Sequence, residues 1–124
     1  MKIYESSQDY LEKILMLREK KENVKSVDIA NSMNVTKQSV HRAIKNLNEN
    51  NYIVVEEKGY ITLTEKGEAI AKEIYEKHKI IADFFIMLNV SEDIAYKDAC
   101  KIEHDISDES FQAIKKIVLN KKKM

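Results

Sequence analysis

Apolar residues recur at helical spacing in the first stretch of the chain, at Tyr10, Leu11, Ile14, Leu15 and Leu17, predicting an amphipathic helix that Ser6 or Ser7 can cap. Lys20-Lys-Glu-Asn-Val is a polar break. Ser26 then precedes a short helical run to Met33, which it is placed to cap, and Asn34-Val35 reads as a turn. Thr36 caps a third helix whose buried stripe is Val40, Ala43, Ile44 and Leu47. From Tyr52 the period changes: Ile53, Val54 and Val55 are β-branched, Glu56-Glu-Lys-Gly59 turns, and Tyr60 to Leu63 continues as a second extended run, together a β-hairpin. Thr64 starts a long helix to about Leu88 with Ala69, Ile70, Ile74, Ile81, Phe84 and Phe85 apolar. Ser91 caps the next helix, and Ser107 caps a last one carrying Phe111, Ile114 and Val118. The Lys121-Lys-Lys-Met124 tail reads as frayed.

Three helices followed by a hairpin is the order of a winged helix-turn-helix, with the second and third helices as the reading unit. The expected fold is therefore mainly α with a small β-hairpin wing: a winged helix-turn-helix over residues 1–64 and a helical domain over 65–124.

With 124 residues, 44% hydrophobic and 34% charged, the chain can bury a core and keep a solvated surface. It has no proline and two glycines, as a helical protein with few tight turns would. No run reaches membrane-span length, and Met1 to Ser7 lacks the apolar core of a signal peptide, so a cytoplasmic location without membrane association is expected. The single cysteine cannot form an internal disulfide.

The formal net charge is zero, but DNA binding needs a basic face rather than a basic protein. Val35 to Leu47 holds Lys37, His41, Arg42 and Lys45 and no acid. The exposed start of the third helix is expected to present Thr36, Lys37, Gln38, Ser39, His41 and Arg42. Arg42 suits guanine and Gln38 adenine, while Lys37, Lys45 and the hairpin's Lys58 suit phosphates. Taken alone, the same residues would also make an ordinary solvated face; the order of helices and wing favours DNA.

The run Asp98-Ala-Cys-Lys-Ile-Glu-His104 places Cys100, Glu103 and His104 at i, i+3 and i+4, on one helix face. Thiolate, carboxylate and imidazole form a partial shell for a divalent transition metal. His78 in the long helix and the pair Asp9 and Glu12 in the first are further candidates. Folding the three helices together would give a mixed N/O/S site. Plainer roles compete: Cys100 as a small buried hydrophobe, Asp9 as a helix-dipole partner, and Glu12, His78, Glu103 and His104 as surface groups. Leu15 and Met16 occupy the i+3 and i+4 positions from Glu12, which weakens the ion-pair role for it.

Asp9-Tyr-Leu-Glu12, Ser39-Val40, Leu63-Thr-Glu-Lys-Gly67, His78 and above all Cys100-x-x-Glu-His104 closely resemble the diphtheria toxin repressor family of iron- and manganese-dependent transcription regulators, over nearly the whole chain. The resemblance implies metal ligands at Asp9, Glu12, His78, Cys100, Glu103 and His104. It also implies a homodimer formed through the C-terminal helices, one winged domain per half-site of double-stranded operator DNA, and metal as co-repressor. The chain resembles the short type without an SH3-like third domain. Asp9 and Glu12 are similar to the manganese branch and Cys100 to the iron branch, while Ala82 and Tyr96 stand where the iron branch's ancillary ligands would be expected. Carboxylates suit Mn(II), and a thiolate favours Fe(II), with Co(II), Ni(II) or Zn(II) able to substitute in vitro.

The expectation is thus a metal-dependent regulator in which metal ties the first helix to the dimerisation region and so fixes the spacing of the two reading helices, at about 34 Å for half-sites one turn apart. Its rivals are a winged-helix regulator not gated by metal and responsive to redox through Cys100, a small metalloenzyme, and an interaction module that has kept the fold. An enzyme has little support, because no Gly-rich phosphate loop is present and no general base stands outside the metal cluster.

Overall fold

The computed structural model describes residues 5–122. The element order is α1 (Glu5–Lys20), α2 (Ser26–Met33), α3 (Lys37–Glu49), β1 (Ile53–Val55), β2 (Ile61–Leu63), α4 (Glu65–Met87), α5 (Glu92–Ile102) and α6 (Asp108–Lys122). The chain forms two compact units, one up to Lys72 and one from Glu73, and the division falls within α4.

In the first unit the apolar stripes of the three helices converge. Leu11, Ile14, Leu15, Ile29, Val40, Leu47, Ile53 and Ile61 are all nearly fully buried, each such side chain contributing about 1.5–3 kcal/mol by leaving water. β1 and β2 pair antiparallel, Ile53 opposite Leu63 and Val55 opposite Ile61. Tyr60 stays outside the strand, in the turn whose Gly59 adopts φ +87°. A contact missing from the sequence reading is made by Val24: its carbonyl accepts from Ile61 N–H at 2.7 Å, an antiparallel bridge that pins the wing to the segment before α2. A lone apolar residue in a polar run carries no period, so only its burial gives it away.

The caps differ in detail from expectation. α1 already includes Ser6 and Ser7. Ser26 is the first residue of α2, not its cap; Lys25 precedes the helix, and its N–H donates to the Asp28 carboxylate at 2.8 Å. Thr36 caps α3 as expected, its hydroxyl accepting from Ser39 N–H at 3.1 Å. Ser91 precedes α5 without a side-chain cap bond, whereas Ser107 Oγ accepts from Ser110 N–H at 3.2 Å. α6 continues through Lys122, so the lysine tail is helical as far as the structure is described.

Thr64 welds the wing to α4. Its hydroxyl donates to Asn51 O at 2.7 Å and accepts from Gly67 N–H at 3.1 Å, while its own N–H donates to Tyr52 O at 3.1 Å. The second unit is built on Ile80, Ile81, Ala82, Ala99, Phe111 and Val118, with Phe84, Phe85 and Ile114 packed against them.

Candidate metal centre and nucleic-acid interface

α5 ends at Ile102, one residue before the expected cluster is complete. Glu103 is its C-cap and keeps helical dihedrals (φ −56°, ψ −26°), its N–H donating to Ala99 O at 2.9 Å. The chain then tightens, with Asp105 N–H and Ile106 N–H both donating to Ile102 O at 3.0 Å. Cys100 and Glu103 therefore remain one turn apart, but His104 is presented by a turn rather than by the helix.

Glu103 is buried, at 1% exposure. One carboxylate oxygen, Oε2, lies 3.0 Å from His78 Nδ1, and the other, Oε1, lies 3.5 Å from His104 Nε2. The His104 side chain is 3% exposed and that of His78 16%. Cys100 is exposed, and its Sγ is within 4.8 Å of a Glu103 oxygen. An exposed cysteine is not the small core hydrophobe that a lone helical cysteine most often is.

These spacings fit a shared cation. Two donors each about 2.1 Å from one ion stand roughly 3.0 Å apart when cis and about 3.4 Å apart at the tetrahedral angle. A carboxylate held between two imidazoles, with a thiol one turn away, is also the donor mixture a divalent transition metal takes. Of the six expected ligands, His78, Cys100 and His104 thus each come near the Glu103 carboxylate within the second unit. The other two lie on α1 in the first unit, where Asp9 is half-buried and Glu12 is 6% exposed. A buried acid on an otherwise apolar stripe is not an ordinary surface group.

On the first unit the turn between α2 and α3 is made by Asn34, in the left-handed conformation at φ 56° and ψ 47°. Asn tolerates it because its short polar side chain bonds locally. Lys37, Gln38, His41 and Arg42 are exposed and line one open groove of about 690 Å³ together with Ser26, Val27 and Val40. Lys45 is exposed one turn further along, and Lys58 is exposed at the wing tip between Glu57 and Gly59. Thr36 and Ser39 are engaged with each other, Thr36 Oγ1 donating to Ser39 Oγ at 3.0 Å, so they shape the helix start as much as they face outward. Val27 was missed by sequence reasoning: it joins the groove at 47% exposure, and one valine at a helix start gave no signal.

Residues 2–61 match the family description "Iron dependent repressor, N-terminal DNA binding domain", and residues 64–123 match "Iron dependent repressor, metal binding and dimerisation domain". An uncharacterized HTH-type transcriptional regulator of Methanocaldococcus jannaschii is 38% identical over 113 residues, covering 90% of each chain. The HTH-type transcriptional regulator MntR of Shouchella clausii is 35% identical over 113 residues, 91% of this chain and 79% of its own. Among solved structures, the manganese regulator SloR superposes with a TM-score of 0.80 at 29% identity over 90% of this chain. This chain spans about half of it, 53%.

Proposed function

The chain belongs to the iron-dependent repressor family, and from that premise we propose that it is a cytoplasmic transcriptional repressor of metal-homeostasis genes, not an enzyme, which binds operator DNA as a homodimer when loaded with Mn(II) or Fe(II). The observation that carries the reading is the buried Glu103 carboxylate held between His78 and His104. In our assignment the metal is held by His78, Cys100, Glu103 and His104, with Asp9 and Glu12 as the further donors that the family resemblance implies. Co(II), Ni(II) or Zn(II) would be accepted in vitro, since the thiolate and imidazoles favour ions later in the first row.

Residues 1–64 are the reading domain. Lys37, Gln38, His41 and Arg42 face the base edges and nearest phosphates, Thr36 and Ser39 set the helix start, and Lys45 and Lys58 take backbone phosphates. Residues 65–124 hold the metal and the dimer contact; Ile86, Leu88, Ile94, Ile117 and Leu119 are exposed there, more large apolar surface than a solvated helical face needs. No helix among the described residues is long and apolar enough to cross a membrane. When bound, the metal would supply a positive centre for carboxylate, thiolate and imidazole donors, and this chain's own residues would present those donors from separate helices, coupling metal uptake to DNA binding. Such a coupling is worth about 1–3 kcal/mol of DNA affinity.

Anaerobic titration of the apo protein with Fe(II) and with Mn(II), following protein-bound metal per chain, tests the reading. Saturable uptake of either ion, lost in His104→Ala, supports it. No uptake of either ion by the wild type refutes it.

A further inference from the structure

Tyr96 lies on α5, one turn before Cys100, and is 40% exposed, yet its ring stacks on that of His78 with centroids 5.7 Å apart and planes 26° apart. His78 Nδ1 is anchored at Glu103 Oε2, 3.0 Å away. One anchored nitrogen does not by itself fix an imidazole, because the terminal torsion of histidine is broad and roughly two-fold. A stacked neighbour supplies the second restraint, since it limits rotation of the ring out of its plane. A metal ligand needs both, as the lone pair of the ligating nitrogen lies in the ring plane and must point at the ion.

We propose that Tyr96 is a positioning residue for metal binding, holding the His78 ring in the plane from which it ligates. The inference rests on the metal-site reading above and deepens it. The resemblance puts an ancillary ligand of the iron branch at this position, and Tyr96 departs from it. Its ring instead stacks on a histidine while the residue as a whole stays 40% exposed, an arrangement suited to an amphipathic aromatic. Ala82, the other such position, is fully buried in the core beside Ala99 and carries no donor at all. Groups that orient metal-binding histidines are worth about 10–100-fold in metal affinity, which sets the size of effect to look for.

The test compares Tyr96→Phe and Tyr96→Leu with wild type in the full chain, titrating with Mn(II) and, for its visible ligand-field bands, Co(II). Tyr96→Leu is expected to weaken both ions about tenfold and to alter the Co(II) bands, while Tyr96→Phe, which keeps the ring, stays within about twofold with unchanged bands. Thermal unfolding of the apo proteins checks the fold, and if Tyr96→Leu does not fold, Tyr96→Gln takes its place in the same comparison. Wild-type affinity and bands in the ringless variant would overturn the inference while leaving the metal site standing. So would a loss in Tyr96→Phe as large as in Tyr96→Leu, because the ring would then not be the device. A wild-type chain that takes up neither ion overturns the metal site and this inference together.

Discussion

Gly67→Ala is a substitution for which local propensity and tertiary packing predict opposite signs. Gly67 lies in the first turn of α4, and replacing a helical glycine by alanine normally gains about 0.8–1.0 kcal/mol. A Cβ at this position, however, would stand 2.9 Å from the Tyr52 carbonyl carbon and closer still to its oxygen. The obstacle is backbone, so no side chain can swing aside. Tyr52 O also accepts the Thr64 N–H, and shifting the carbonyl away loosens that bond and its neighbours around Thr64. Overpacking costs roughly 1–3 kcal/mol and a weakened hydrogen bond about 1 kcal/mol more. Set against the propensity gain, the net expectation is a loss of about 1–3 kcal/mol. The assay is urea unfolding followed by circular dichroism, in which the midpoint should fall at an unchanged m-value, with the melting temperature lower by about 4 °C or more. An alanine variant as stable as wild type, or more so, would refute the close approach of wing and helix. Gly59→Ala makes a useful contrast: it meets nothing within 4 Å, so any loss there is left-handed backbone strain alone.

Glu103→Gln keeps the shape of the buried side chain and removes its charge, and should lower Mn(II) or Fe(II) affinity by more than the roughly 10–100-fold that supporting groups cost; metal titration reads it directly. Arg42→Ala should weaken binding to a metal-responsive promoter fragment by about 1–3 kcal/mol in electrophoretic or anisotropy assays, with metal affinity unchanged. Equal loss of both would contradict the separation of roles. The Asp28 carboxyl is held below its ordinary value, first by the bond from Lys25 N–H and then by Lys21. Because the folded pKa is depressed, its stabilisation is present above the unfolded value of about 3.9 and is lost as pH falls through the lower folded value. Asp28→Asn should be less stable than wild type near neutral pH, and the gap between their urea midpoints should close toward pH 2.

Most of the fold was legible because each helix carries its own period. The stripes of α1, α3 and α4, the change to β-branched residues at Ile53, and the caps at Thr36 and Ser107 are local signals, each contained in a few consecutive residues. Helix starts held by a neighbour's backbone or by an acid three residues on were not legible in the same way. Ser26 looked like a cap, but the Asp28 carboxylate reaching back to Lys25 N–H performs that task. Val24 and Tyr52 were invisible for a different reason. Their work is done by main-chain carbonyls, which accept from Ile61 and Thr64, and no side-chain pattern records which carbonyl will be used.

At the candidate site the spacing Cys100, Glu103, His104 pointed to a donor cluster on one continuous helix, whereas α5 ends at Ile102. A continuous helix would put all three on one face with similar surroundings. Ending α5 at Ile102 instead separates them by environment: Cys100 stays exposed, Glu103 is buried, and His104 turns inward at 3% exposure. A buried carboxylate is costly unless it is paired, and here each oxygen faces an imidazole that is itself a metal ligand type. The second unit thus gathers two imidazoles around one buried carboxylate, with His78 Nδ1 3.0 Å from Glu103 Oε2. Among the proposed ligands the exposed Cys100 thiol is the softest and bears most on which ion is preferred, since thiolate favours ions later in the first row over Mn(II) more strongly than imidazole does. Cys100→Glu should accordingly shift the ratio of Mn(II) to Co(II) affinity toward manganese, and an unchanged ratio in paired titrations would remove the thiol from metal selection.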